Sequence, residues 1–337
     1  MKIKKRSRLL YPCFIALLLI QSAPILAECL AFVHLGNQLP SYIFLALAQA
    51  RLFNKATPIY LLANQEALRS NHTKLNKLNI HSVVINQLSR TQEHEEFLQH
   101  MQTKKGMRSG FWLYTSERFL VLYDWMQQAH IQEVVHMEND TLLYANISEF
   151  LPIFKNHYPN IAAVFDDDDR CIPCFMYIAD GSSMQLLAQF FVHEIASKTP
   201  QAEWDINDMQ TIARFKKFYG APTVGSLPII MPSYITQFGL SNALGNHPAR
   251  PQDYCNNIEH FNSIFDGAAI GQYLGGTFHG DKPGFINETC IFNPSRLHYE
   301  WKVDQEGRKI PYVHFGNERY RLNTLHVHSK KLEQFVS

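Results

Sequence analysis

What this chain of 337 residues has little of narrows it first. Thirty-one basic against 30 acidic residues leave a formal charge of +1, so there is no bulk field of the kind that gathers nucleic acid or anionic lipid. Any charged partner has to be recognised locally, and no nucleic acid partner is expected. Beyond the first 26 positions no apolar run is long enough to span a bilayer. There is no internal repeat, low-complexity linker or shift of composition, so a single domain over residues 28–337 is expected. Cysteine is scarce, at six residues. Loss of Cys13 with a leader would leave an odd number, which cannot all pair within one chain. Cys171 and Cys174 form a C-x-x-C with no second Cys or His pair at zinc spacing, and read as structural.

What is present begins with the N-terminus. "MKIKKRSR" is a basic segment, "LLYPCFIALLLIQSAPIL" is apolar but interrupted by Pro12 and Pro24, and Ala27 closes it with a small residue. This pattern predicts a signal peptide over residues 1–27, export or a secretory lumen, and no membrane attachment after cleavage. The alternative is an anchor helix through residues 9–26.

The rest alternates. "CLAFVHLG" and "TPIYLLAN" are apolar strands separated by a helical "SYIFLALAQARLFN", and a polar helix around Leu75 leads to a third strand, "HSVVIN". Strands apolar throughout, with helices between them, predict an α/β fold with a mainly parallel sheet flanked by helices. In "FWLYTSERFLVLYDWMQQAH", Phe119, Leu122, Tyr123 and Met126 share one helical face, and Thr115 or Ser116 is placed to cap its start. Strands follow at "IAAVF" and "CFMYIA", then helices from about Ser182 to Ser197 and from about Asn207 to Phe218. From Leu227 the chain is irregular, with a short helix at "DGAAIGQYL" and strands at "YVHF" and "TLHVHS".

Chemistry concentrates at "EVVHMENDTLLYANI". Val134, Val135 and Met137 suit a buried strand, which cannot carry Glu138 and Asp140 through its middle, so the acids belong at its mouth. Adjacent same-side oxygen ligands there suit a hard divalent cation, Mg²⁺ or Mn²⁺. The late "LHVHSKK" offers His328, with His326 and Lys330 in the same register if extended, as imidazole ligand and phosphate-neutralising ammonium. Arg118 is expected to grip a phosphate or to hold an acid in place. His34, Gly36 and Asn64 fall where the first two strands end, the ligand edge of an open parallel sheet. "FDDDDRC" reads as a solvated loop. Asp205 and Asp208 fall near a helix start, and Asp266 is followed by Gly267, Gly271, Gly275 and Gly276, which permit close backbone approach.

This order of elements resembles the nucleotide-sugar-dependent glycosyltransferases of the GT-A fold, over most of Cys29 to Lys330. Their D-x-D element has its counterpart in Glu138-Asn139-Asp140, and "TSERFLVL" is similar to the S-D-x-x-R-x-x-x-L element of one group, keeping Arg118 and Leu122. The interval from Arg118 to Asp140 is longer than in that group, and its Gly-Gly-x-Tyr is missing. The resemblance implies transfer of a hexose from a nucleoside diphosphate donor to a glycan, protein or lipid acceptor, with a metal at Glu138, Asp140 and His328. It also implies donor contacts from His34, Gly36, Asn64, Arg118, Glu138 and Lys330, and acceptor-side carboxylates at Asp208 and Asp266. Two alternatives stay open: a secreted carbohydrate- or nucleotide-binding protein without turnover, and a metal-dependent phosphoester hydrolase.

Overall fold

A computed structural model describes residues 28–102, 111–197 and 207–337. The segment read as a signal peptide, and Asp205, lie outside the described residues. Strands run in chain order as β1 Cys29–His34, β2 Ile59–Ala63, β3 His81–Val84, β4 Val134–Met137, β5 Thr141–Leu143, β6 Ile161–Asp167, β7 Arg170–Ile178, β8 Val224–Ser226, β9 Ser263–Ile264, β10 His298–Val303, β11 Lys309–Phe315, β12 Glu318–Leu322 and β13 Thr324–His326. The helices are α1 Ile43–Phe53, α2 Gln65–Lys77, α3 Gln92–Gln102, α4 Phe111–Ala129, α5 Leu151–His157, α6 Gly181–Ser197, α7 Asp208–Tyr219, α8 Pro232–Phe238, α9 Ile258–Phe261 and α10 Ala269–Gly275.

The central sheet has the order β3-β2-β1-β4-β7-β6-β8. Strands β3, β2, β1 and β4 are parallel, and β7 enters antiparallel between β4 and β6. The apolar runs explain the placement: Leu30, Ala31 and Phe32 of β1 and Leu61, Leu62 and Ala63 of β2 have no exposed surface, as strands covered by helices on both faces require. Because β1, β2 and β4 run the same way, His34, Ala63 and Met137 end on one rim.

Helix α4 departs from the expectation in two ways. It starts at Phe111, so Thr115 and Ser116 are interior positions rather than caps. Its middle is also buried all round: Leu120, Val121 and Trp125 are as hidden as the predicted face of Phe119, Leu122, Tyr123 and Met126. The reason is a second layer, in which Phe191 of α6 stacks on Phe119 with ring centroids 5.5 Å apart and His94 of α3 reaches Asp124 at 2.5 Å. A helix between a sheet and other helices has no solvated face.

A second sheet, β10-β11-β12-β9, covers the irregular C-terminal half, and β13 pairs with β5. The described cysteines are all free thiols, and burial pushes those of Cys171 and Cys174 well above the usual thiol range. "FDDDDRC" is not a freely solvated loop. It forms the β6–β7 hairpin, in which Asp166 is 2 % exposed and paired with Arg170, while Asp168 accepts from the Tyr254 hydroxyl at 2.6 Å. Burial beside a strand partner and Arg170, invisible in a run of four acids, makes the difference.

Candidate active site

The acid turn is built by the rim. Beyond Met137 the Glu138 N–H donates to Cys174 of β7 at 3.0 Å, Asn139 Nδ2 donates to the Val33 carbonyl of β1 at 3.1 Å, and the Thr141 N–H closes the turn on Glu138 at 3.2 Å. The chain then enters β5, whose antiparallel register sets Thr141 opposite His326. That pairing brings the imidazole of His326 beside the turn. Its Nε2 lies 3.2 Å from Asp140 Oδ2 and 3.4 Å from Glu138 Oε2. One ligand atom from each of Glu138, Asp140 and His326 lies within 4.8 Å of the other two.

The residues around this trio are positioned with equal care. His326 Nδ1 donates to the Gly267 carbonyl at 2.6 Å, which aims Nε2 at the carboxylates. Burial would lower the pKa of His326, but Asp140 and Glu138 outweigh it and hold it up to about 9. Asp140 is buried too, yet Lys330 and His326 keep its carboxyl below the usual carboxylate range. Lys330, at φ 65° in a turn closed by its N–H on the Val327 carbonyl at 2.9 Å, folds its ammonium back onto Asp140. Arg118 holds acids in place: one Nη2 reaches Glu138 Oε1 and Asp208 Oδ2, each at 2.6 Å. Asp208, the first residue of α7, is 2 % exposed, and burial raises its pKa against the pull of Arg118.

Two further placements differ from the sequence expectation. The sequence put His328 with the acids, but the imidazole that meets them is that of His326. β13 ends at His326 and the chain then turns, the His328 N–H donating to the His326 carbonyl at 3.0 Å. His328 borders the same cleft, where it accepts from the Phe278 N–H at 3.4 Å, and burial with the nearby cations lowers its pKa to about 4. Asp266, expected on the acceptor side, does not border the cleft. Its oxygens accept from the N–H groups of Ile270 at 3.0 Å, Gly271 at 2.9 Å and His326 at 3.0 Å. It caps α10 and fixes His326, and burial raises its pKa to about 6. Gly271 makes this possible, since a Cβ there would sit 1.9 Å from the His326 carbonyl oxygen.

The cleft over the trio encloses about 510 Å³. Its wall also carries Arg170, Gln272, Thr277, His279, Asp281 and Asn287, none of which was a candidate in the sequence. Chain reversal at Gly276 brings Thr277 and Asp281 together: its φ is 74°, and an added Cβ would meet the Asp281 carbonyl at 2.0 Å. A second cavity of about 690 Å³ lies at the ends of β1, β2 and β3, lined by Gly36, Asn64, Asn86, Tyr114 and Glu117 among others. Tyr114 and Glu117 are sequence neighbours of the cleft residues Thr115 and Arg118, so both hollows border α4. Asn64 donates to Asn37 at 2.9 Å. His34 borders neither hollow; its Nε2 is 2.7 Å from the Gln38 carbonyl.

Two carboxylates and one imidazole held from behind by a carbonyl are a donor set that fits Mn²⁺ or Mg²⁺. No protein-family model matches the chain, and no curated protein does. Solved structures similar to it include mouse xyloside xylosyltransferase 1 (9 % identity, TM-score 0.43, 63 % of this chain and 90 % of that one). The PaToxG glycosyltransferase is similar at 8 % identity and TM-score 0.40, over 56 % of this chain and 69 % of that one. The galactosyltransferase LgtC, in complex with donor and acceptor sugar analogues, is similar at 13 % identity and TM-score 0.35, over 62 % and 77 %.

Proposed function

We propose that the protein transfers a sugar from a nucleoside diphosphate donor to a glycan, protein or lipid acceptor with a divalent cation at Glu138, Asp140 and His326. The observation that carries this is the meeting of those three groups, with Lys330 and Arg118, at the carboxyl ends of parallel strands beside a cavity of nucleotide size. When bound, the cation supplies positive charge to the leaving diphosphate. The chain's own residues do the rest. Gly36 and Asn64 border the hollow that receives the nucleoside, and His34 ends the strand that leads to Gly36. Lys330 neutralises a phosphate as a point charge, and Arg118 keeps Glu138 and Asp208 oriented. His328, neutral and at the cleft wall, offers a hydrogen bond to the donor sugar or the diphosphate. Asp208 is the carboxylate we keep for the acceptor side. The basic and apolar N-terminus supports export, with cleavage near Ala27 or anchoring through residues 9–26.

The test is thermal unfolding with nucleoside diphosphates, with and without Mn²⁺. One nucleotide should stabilise the protein only when the metal is present, by about 2.7 kcal/mol at a concentration of about one hundred times its Kd. Asp140→Asn keeps the size and removes an anionic ligand, so this stabilisation should vanish while cooperative unfolding persists. Retention of wild-type metal-dependent nucleotide affinity in that variant would refute the site. Stabilisation without turnover against any acceptor would identify a binding protein, and sugar release to water alone a hydrolase.

A further inference from the structure

The outer face of the second sheet is unlike the rest of the surface. Strand register sets Glu300, Tyr312 and Arg321 side by side, with His298, His314 and Arg319 in the next row. The other face supplies the core through Val313, Leu322 and Ile264, none with exposed surface. Glu300 serves His314 at 3.0 Å and Lys302 at 3.4 Å. Arg319 and Arg321 have no carboxylate partner among the described residues. Arg308, at the neighbouring strand, shows the ordinary arrangement, with Asp304 at 2.7 Å. Glu318, beside Arg319 in sequence, is turned away to the Ser233 hydroxyl and N–H.

At this edge the sheet is hollow. A depression of about 330 Å³ is lined by Arg319, Arg321, Tyr312, Asn262, Ser263 and Asn323 among others. An adjoining one of about 270 Å³ shares Arg321 and Glu149 with it. Asn323 is fully buried, and its Nδ2 donates to Ser263 at 2.6 Å while its Oδ1 has no partner. Arg321 Nε, a donor, is likewise buried and unpaired. Unmade hydrogen bonds of this kind are costly, and two of opposite polarity bordering one hollow suit a ligand that both donates and accepts.

We infer that this depression binds an acidic saccharide: hydroxyls answer Asn323 and Arg321, and a carboxylate or sulfate meets Arg319 and Arg321. The Arg319 guanidinium lies over the Tyr312 ring, 4.7 Å from its centroid, which holds the cation at the rim of the depression. Glu149 is the one carboxylate of the wall and makes no ion pair there; it disfavours ligands charged on every side. A flat membrane or a nucleic acid strand needs a long row of cations, and this face leaves only two without a carboxylate. The depression and the cleft share no lining residue. This binding does not depend on the transferase reading.

The experiment is calorimetric titration of the full protein with a sulfated, uronate-bearing hexasaccharide and with a neutral hexasaccharide of equal length. The acidic sugar should bind at least about tenfold tighter, and Arg319→Gln with Arg321→Gln should remove that margin. The double variant should keep its urea midpoint and its metal-dependent nucleotide stabilisation. Arg319→Gln alone, at an exposed position, should weaken binding even if the double variant folds poorly. Equal binding of the neutral sugar, an unaffected double variant, or equally tight arginine-dependent binding of single-stranded DNA or anionic vesicles would each overturn the assignment.

Discussion

The imidazole of His326 is held from behind by the Gly267 carbonyl at 2.6 Å and from its own backbone N–H by Asp266, so only Nε2 is left to face Glu138 and Asp140. Among the described residues the His328 imidazole has one hydrogen bond, a long one accepted from the Phe278 N–H. The two histidines, two positions apart, should therefore behave differently. His326→Ala should weaken Mn²⁺ binding by about tenfold or more, in line with the loss of a held ligand, whereas His328→Ala should change it much less. Competition against a metal-sensing dye checks this without any assay of activity. Equal losses would mean that His328 turns in to the metal and that the orientation of His326 is incidental. Arg118 carries the same lesson about single residues. Of the two roles the sequence allowed, gripping a phosphate or holding an acid, the geometry has it holding two acids.

At the scale of elements, α10 and β13 act as one piece. Asp266 caps the helix through Ile270 and Gly271 and accepts from the strand through His326, while Gly271 lets the two backbones touch. Helix propensity alone favours Ala over Gly by about 1 kcal/mol within a helix. Packing opposes it here, because the new methyl would fall 1.9 Å from the His326 carbonyl oxygen and 2.9 Å from Asp266 Oδ2. Gly271→Ala is therefore expected to destabilise by roughly 1–3 kcal/mol and to weaken metal binding with no change of charge. Urea unfolding with an unchanged m value, together with the dye competition, tests it. A variant more stable than the wild type would show that the two elements can separate cheaply.

The whole molecule should respond to pH through a group distant from the metal site. His94 of α3 is 1 % exposed, with Nδ1 at 2.5 Å from Asp124 Oδ2 and Nε2 at 3.6 Å from Glu117 on α4. Asp124 is itself held by the Thr91 N–H and hydroxyl, each at 2.8 Å. Burial works to lower the pKa of His94, but Asp124 and Glu117 outweigh it and raise it above the ordinary 6.5. A raised histidine contributes stability that is complete below its unfolded value and is lost as pH rises through its folded one. The metal-free protein should therefore lose this contribution on going from about pH 6 upward, and His94→Gln should flatten that part of the profile. Urea midpoints of the two proteins across this range decide it. Parallel profiles would mean that His94 keeps one protonation state throughout.

Local signals sufficed for much of the architecture. The continuous apolar runs of β1, β2 and β4 announced buried parallel strands, and the cost of burying ionised groups put Glu138 and Asp140 at a strand mouth before any contact was known. The helices around Leu75, from Ser182 and from Asn207 followed from periodicity. Other features needed the folded chain. Asp140 and His326 are 186 positions apart, and only the β5–β13 register selects His326 over His328. Asp266 looks like any acid before a glycine-rich helix until three backbone N–H groups claim its oxygens, and Asp166 looks solvated until Arg170 folds over it. A sequence records which side chains suit a strand, a cap or a turn, because those preferences act over a few residues. Which histidine meets which acid depends on strand register and burial, and these exist only once distant segments have packed together.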